Sequence, residues 1–165
     1  KPTMTEPLSD SDFALIKKVD FRLNNLMTAL LGELDLAESS DKPLSISDHD
    51  LGRLQVYLFE RSQAIESNQA QFNQSTNADL HELMVSFLQV RDQLMSIAGA
   101  ISSYLRNKDI EWFNISVNDS YQKMKPQIEA VRDNSAYQAY KDRIKQEDAE
   151  ASRTHFEYET SRRGK

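Results

Sequence analysis

Three histidines are the residues in this chain best suited to bind a metal or move a proton near neutral pH: His49, His81 and His155. No glutamate stands three residues before any of them, so the Glu-x-x-His pairs of di-iron proteins are missing. No two histidines have His-x-x-x-His spacing, and the chain has no cysteine. The sequence therefore predicts no metal site, and we interpret the histidines as surface residues near helix ends.

Other catalytic patterns are equally hard to find. The four glycines, Gly32, Gly52, Gly99 and Gly164, are isolated, so no glycine-rich loop can surround a phosphate. No nucleophile can be paired with a base from spacing alone. We therefore expect no cofactor and no enzymatic activity. An all-helical enzyme that uses scattered carboxylates is the catalytic alternative.

Composition predicts an all-α protein. The chain of 165 residues has only four glycines and four prolines, so turns are few and the elements between them must be long. Apolar residues make up 39% and charged residues 28%, which is typical of a globular domain. No run of apolar residues approaches the length that a transmembrane helix needs. We expect membrane association only through segments outside this chain, which begins at Lys1 rather than at a methionine.

Apolar residues recur at spacings of three and four, which predicts helices at about 11–39, 48–73, 77–106 and from 109 onward. The third of these has the most regular pattern. Pro126 should kink or restart the fourth, because a proline ring clashes with the carbonyl four residues earlier. Short connections favour antiparallel neighbours, so we predict an up-and-down four-helix bundle, with a fifth C-terminal helix as an alternative.

Three regions follow from this pattern. We predict a flexible leader at 1–9, a helical core at 10–133 and a charged helical tail at 134–165. The tail is either part of the same domain or an extension from it. Residues 1–105 carry eight basic and fifteen acidic residues, whereas residues 106–165 carry twelve and eleven. Because the acidic main body would repel phosphate groups, we expect no binding of nucleic acid.

A few residues depart from the expected core pattern and are candidates for binding. Several apolar or small residues lie off the core side of their helices, and they predict an interaction surface. The alternative explanation is burial between neighbouring helices. The residues are Phe21, Leu31, Leu88, Met95 and Gly99. Arg61 and Asn68 are polar residues at positions where the second helix should be apolar. We interpret these two as a mobile helix end or a polar ligand-binding face.

The function predicted from the sequence is a non-enzymatic interaction or sensory module that acts through helix faces. One version is the extracytoplasmic part of a bacterial-type envelope protein, such as a lipoprotein or a receptor sensor domain. The missing start methionine and the proline-bearing leader favour a periplasmic or envelope location. The other version is a cytoplasmic adaptor or assembly protein that oligomerises through its first and third helices. The expected partner is another protein or a second copy of the chain.

Overall fold

The structure is a computed structural model that describes residues 8–20, 25–37 and 44–163, with side chains described at 8–20, 27–34 and 44–154. Within these ranges the regular elements are all helices and no strand occurs, which confirms the predicted all-α class. The helices are α1 (Asp10–Val19), α2 (Asn25–Ala37), α3 (Asp48–Ser67), α4 (Gln69–Gln74), α5 (Ala78–Asn107), α6 (Ile110–Asp133) and α7 (Ser135–Arg163).

Polar side chains begin the helices where the sequence changes from turn residues to apolar repeats. Ser9 Oγ accepts a hydrogen bond from the Asp12 amide at 3.0 Å, and Ser47 Oγ accepts one from the Asp50 amide at 3.1 Å. Asp109 accepts from the Trp112 amide in the same way at the start of α6. Each cap satisfies an amide that has no partner within the helix.

The longest of the described helices, α5, has buried residues from Leu80 to Tyr104 and packs against both α3 and α6. The α3–α5 pair is antiparallel, because Asp48 at the start of α3 forms an ion pair with Lys108 at the end of α5. The α5–α6 pair is antiparallel as well, since Tyr104 stacks on Phe113 at 4.7 Å next to the connection between the two helices. Its central position explains why α5 has the most regular apolar pattern in the sequence.

The predicted first helix, at 11–39, is interrupted. α1 ends at Val19, and Asp20 has a non-helical backbone with φ −55° and ψ 125°. The Asp20 carboxylate accepts hydrogen bonds from the hydroxyls of Tyr137 at 2.7 Å and Tyr140 at 3.1 Å. Contacts with a part of the chain more than one hundred residues away hold Asp20 in place, so no local sequence pattern could predict the interruption.

The predicted second helix, at 48–73, is divided into α3 and α4 at Asn68. The side-chain amide of Asn68 donates through Nδ2 to the carbonyl oxygen of Ala64 at 2.7 Å, which satisfies one carbonyl at the end of α3. In α6 the helix continues past Pro126 to Asp133 and does not restart there. Pro126 is exposed, so its ring points away from the neighbouring helices.

The tail predicted at 134–165 forms α7, and its start is docked onto the other helices. Ala136, Tyr137 and Tyr140 are buried, whereas every described side chain from Lys145 to Thr154 is exposed. Helix α7 therefore packs on the other helices at its start and is solvent-exposed at residues 145–154.

Among the helices that the structure describes, none combines the length and the apolar character needed to cross a lipid bilayer.

Candidate functional site

The outward side of α5 brings together three of the residues singled out from the sequence. Leu88, Met95 and Gly99 are spaced by seven and four residues, which places them on one side of a helix. Leu94 and Ile97 point the opposite way and are completely buried. Met95 is 41% exposed, and Leu88 is partly buried against the core. The regular core pattern of α5 thus leaves a second, apolar side in contact with solvent.

The neighbouring helix α3 also exposes large apolar side chains. Val56 is 57% exposed and Phe59 is 48% exposed, while Leu54 and Leu58 on the other side of α3 are buried. Gly52 lies one turn before Val56 on the same side. An exposed phenylalanine is costly in water, because burying such a side chain fully stabilises a protein by about 1.5–3 kcal/mol.

The register between the two helices places these residues at the same level along the helix pair. The side-chain amide of Gln55 donates to the carbonyl oxygen of Ala98 at 3.1 Å and to the Ser102 hydroxyl at 2.5 Å. Because α3 and α5 are antiparallel, one turn beyond Gln55 on α3 lies level with one turn before Ala98 on α5. Phe59 is therefore level with Met95. We call the combined surface the α3–α5 face; its residues are Gly52, Val56, Phe59, Leu88, Met95 and Gly99.

Charged residues of both signs surround and interrupt this face. Arg91 forms an ion pair with Asp92 at 3.0 Å, and Asp92 lies between Leu88 and Met95. On α3, Arg53 and Glu60 line a shallow groove that also includes Gly52 and Val56. Apolar side chains with a polar, solvent-accessible edge are typical of a surface that binds protein.

The remaining two residues of the predicted interaction surface are not part of this face. Leu31 lies on α2 and is partly buried against the core, so packing between helices accounts for it. Phe21 lies outside the described residues. The off-pattern residues of the first and third predicted helices are therefore not shown to form one surface.

Arg61 and Asn68, predicted as a polar ligand-binding face, make contacts inside the protein. Arg61 Nη1 donates to the carbonyl oxygen of Asp20 at 3.4 Å, beside the interruption between α1 and α2. Asn68 bonds to Ala64 at the junction of α3 and α4. These contacts account for polar residues at both positions without a ligand, and a ligand-binding role for them stays a prediction.

The described histidines lie at the helix starts, as expected. His49 is exposed in the first turn of α3, and the exposed His81 has Nε2 2.7 Å from the carbonyl oxygen of Ser75. Across the side chains that the structure describes, no group of three or more histidines and carboxylates is arranged to hold a metal ion. The His155 side chain lies outside that set.

Sequence reasoning missed the α3 half of the face. Val56 and Phe59 fall outside the core pattern of Leu51, Leu54 and Leu58, so the same test that identified Met95 would have identified them.

The substitution Gly99→Ala measures how much a glycine on this face lowers the stability of the fold. A glycine within a helix destabilises it by about 0.5–1 kcal/mol relative to alanine. A Cβ atom at Gly99 would have no heavy atom from another described part of the chain within 4 Å, so no described neighbouring element requires the glycine. Gly99→Ala should raise the free energy of unfolding by about 0.5–1 kcal/mol in urea denaturation. Gly32→Ala on α2 is the matched control and should have the same effect; a loss of stability for Gly99→Ala alone would show that the fold needs this glycine.

Comparison of the chain with protein-family models, with curated proteins and with solved structures finds no match.

Proposed function

We propose that this protein is a non-enzymatic interaction module that binds a protein partner through the α3–α5 face. The observation that carries the proposal is the group of exposed apolar side chains on two adjacent helices, Phe59, Val56 and Met95, at 48%, 57% and 41% exposure. Single exposed apolar residues are common on protein surfaces, whereas neighbouring ones on a shared face are typical of binding sites.

Two glycines on the same face support the proposal. Gly52 and Gly99 leave open space where a side chain would stand, one on each helix. Small residues let the backbone of a partner helix approach closely, as they do where helices pack against each other. Phe59 and Gly52 lie about two turns apart on α3, so the face has both a protruding side chain and a position without one.

We also propose that the helices form an antiparallel up-and-down four-helix bundle made of α2, α3, α5 and α6, with α7 as a fifth helix. In support, α2 contacts both α3 and α6, and α5 contacts the same two helices. In that arrangement α2 and α5 lie diagonally opposite. Two further helices, α4 and α7, also contact α5, while Met95 on its outward side stays 41% exposed.

Site-specific photo-crosslinking tests the interaction proposal. A photo-reactive residue introduced at position 59 or 95 should give a defined adduct with a partner protein, and the mass of the adduct shows whether that partner is a second copy. Position 115 is the matched control, because Ile115 is 64% exposed but lies on α6. Adducts from all three positions in equal amount, or from none, would contradict the proposal.

A further inference from the structure

The outward side of α5 has a regular pattern that extends beyond the α3–α5 face in both directions. From His81 to Arg106 the outward positions follow one another at strictly alternating intervals of four and three residues. Val85, which lies three residues before Leu88 in this pattern, is 56% exposed. Alternating intervals of three and four are typical of a helix that packs lengthwise against another helix. The pattern therefore predicts that a further helix packs along the outward side of α5.

The intervals read the same in both directions from a point halfway between Leu88 and Gly99. A two-fold axis through that point would place each outward residue of one α5 opposite an outward residue of a second, antiparallel α5. Leu88 then lies opposite Gly99 of the second copy, and Val85 lies opposite Ser102 of the second copy. A Cβ atom at Gly99 would meet no heavy atom from another described part of the chain within 4 Å, so this position leaves room for the leucine. The outward side of α5 is therefore complementary in shape to itself.

The charges along α5 favour an antiparallel pair over a parallel one. The first half of the helix carries Asp79, Glu82 and Asp92 with one basic residue, Arg91, whereas the second half carries Arg106 and no acidic residue. In an antiparallel pair the acidic half of each copy lies along the basic half of the other, and each end of one helix dipole lies beside the opposite end of the other. In a parallel pair, like charges would lie at the same level.

The centre of the α3–α5 face lies close to the same axis. Met95 is less than one turn from it along α5, and Phe59 of α3 is level with Met95. The two copies of Phe59 would therefore lie at nearly the same level on the same side of the paired helices. Asp92 is also close to the axis, and Arg91 offsets its charge through the ion pair at 3.0 Å.

The area available is close to that of a stable protein interface. From His81 to Arg106 the outward side of α5 is about 38 Å long, the adjacent α3 adds about 30 Å, and each helix is about 10 Å wide. The resulting area of about 700 Å² compares with roughly 800 Å² that each partner contributes to a standard interface.

We propose that the partner of the α3–α5 face is a second copy of this chain, with the two α5 helices antiparallel about a two-fold axis halfway between Leu88 and Gly99. This inference rests on the proposed binding role of the face and names its partner. The self-complementary intervals, the opposite charges of the two halves of α5 and the area of the face support the same arrangement.

Distances between spin labels on two copies test the arrangement. The chain has no cysteine, so one introduced cysteine carries one label per copy. Labels at the exposed positions 78 and 89 should give distances between copies of about 48 Å and about 17 Å by pulsed electron paramagnetic resonance. The distances differ because position 78 lies much farther from the axis than position 89. In a parallel pair the two positions would give the same short distance.

A charge placed near the axis tests the register. Met95→Glu puts a carboxylate opposite Asp92 of the second copy, so the dissociation constant of the dimer should rise at least about thirtyfold. Addition of Asp92→Lys puts an ammonium group opposite that carboxylate and should recover at least about tenfold of the loss. Ile115→Glu on α6 is the matched control and should stay within about threefold of the parent. Sedimentation equilibrium gives the three dissociation constants.

The outcomes separate this inference from the proposed function. If crosslinking at position 59 captures a different protein and the labels give no distance between copies, the inference is overturned while the proposed function stands. Equal distances at positions 78 and 89, or no recovery with Asp92→Lys, would overturn the antiparallel register. The absence of both an adduct and a distance between copies would contradict the inference and the proposed function together.

Discussion

Truncation of Leu94 to alanine should lower the free energy of unfolding by about 2–5 kcal/mol. Leu94 lies in the middle of α5 and is completely buried, between the helices α3 and α6 that pack on either side. Removing its side chain leaves a cavity that the surrounding helices cannot fill by small movements. The measurement is urea denaturation followed by circular dichroism, with the midpoint and the slope compared between variant and parent.

The adjacent residue provides the control. Met95→Ala removes a side chain of similar size from the other side of the same helix, where 41% of it is exposed. Its effect on the free energy of unfolding should stay below about 1 kcal/mol. A loss for Met95→Ala as large as that for Leu94→Ala would mean that Met95 is part of the core and that the α3–α5 face is covered.

Phe59→Glu should weaken binding of the partner by at least about thirtyfold, because a loss of 2 kcal/mol or more is typical when an aromatic residue at the centre of an interface is removed. The substitution places a carboxylate in the contact, and burying an unpaired charge is more costly than losing the ring alone. Isothermal titration calorimetry with the protein captured by crosslinking at position 59 gives the dissociation constants. If the partner is a second copy, sedimentation equilibrium gives them.

Ile115→Glu is the matched control for that measurement. It places the same charge at an exposed apolar position on α6, outside the α3–α5 face. Binding by this variant should stay within about threefold of the parent, and both variants should keep the parent's stability to within about 1 kcal/mol. Equal loss of affinity in the two variants would point to a general effect of charge.

The sequence predicts the helices well where local patterns decide them. Helix α5 was predicted to within one residue at each end, because Asn77 accepts from the Asp79 amide at its start and its apolar spacing has no irregularity. The predicted helix from 109 onward begins one residue later, at Ile110, after the capping residue Asp109. These boundaries depend on residues within four positions of each other.

Features that depend on distant contacts could not be predicted. The helix break at Asp20 depends on Tyr137 and Tyr140, and no spacing rule connects residues so far apart. The division at Asn68 depends on the hydrogen bond between its side-chain amide and the backbone. Such a bond competes with the backbone hydrogen bonds of an uninterrupted helix. Pro126 is a case in which the local pattern is misleading. Proline predicts the end of a helix, but α6 continues past it.

The candidate face was predicted in part for a similar reason. Met95 and Gly99 could be placed on the outward side of α5 from periodicity, but their adjacency to Phe59 depends on the register that Gln55 and Ala98 establish between two helices. Leu31 and Leu88 both lie off the predicted core side of their helices. In the structure, however, Leu31 packs against the core from a different helix and is not part of the α3–α5 face. Amphipathic periodicity identifies the side of a helix, whereas the way in which sides combine is a property of the tertiary structure.

The methyl groups of the methionines give the most direct test of the claim that the α3–α5 face binds a partner. Met27, Met84 and Met124 are at most 1% exposed, whereas Met95 is 41% exposed at the centre of the face. In protein labelled with ¹³C at the methionine methyl groups, addition of the partner, or concentration of the protein if the partner is a second copy, should shift or broaden the Met95 resonance. The resonances of Met27 and Met124 should stay in place. Complete binding with an unchanged Met95 resonance would contradict the account.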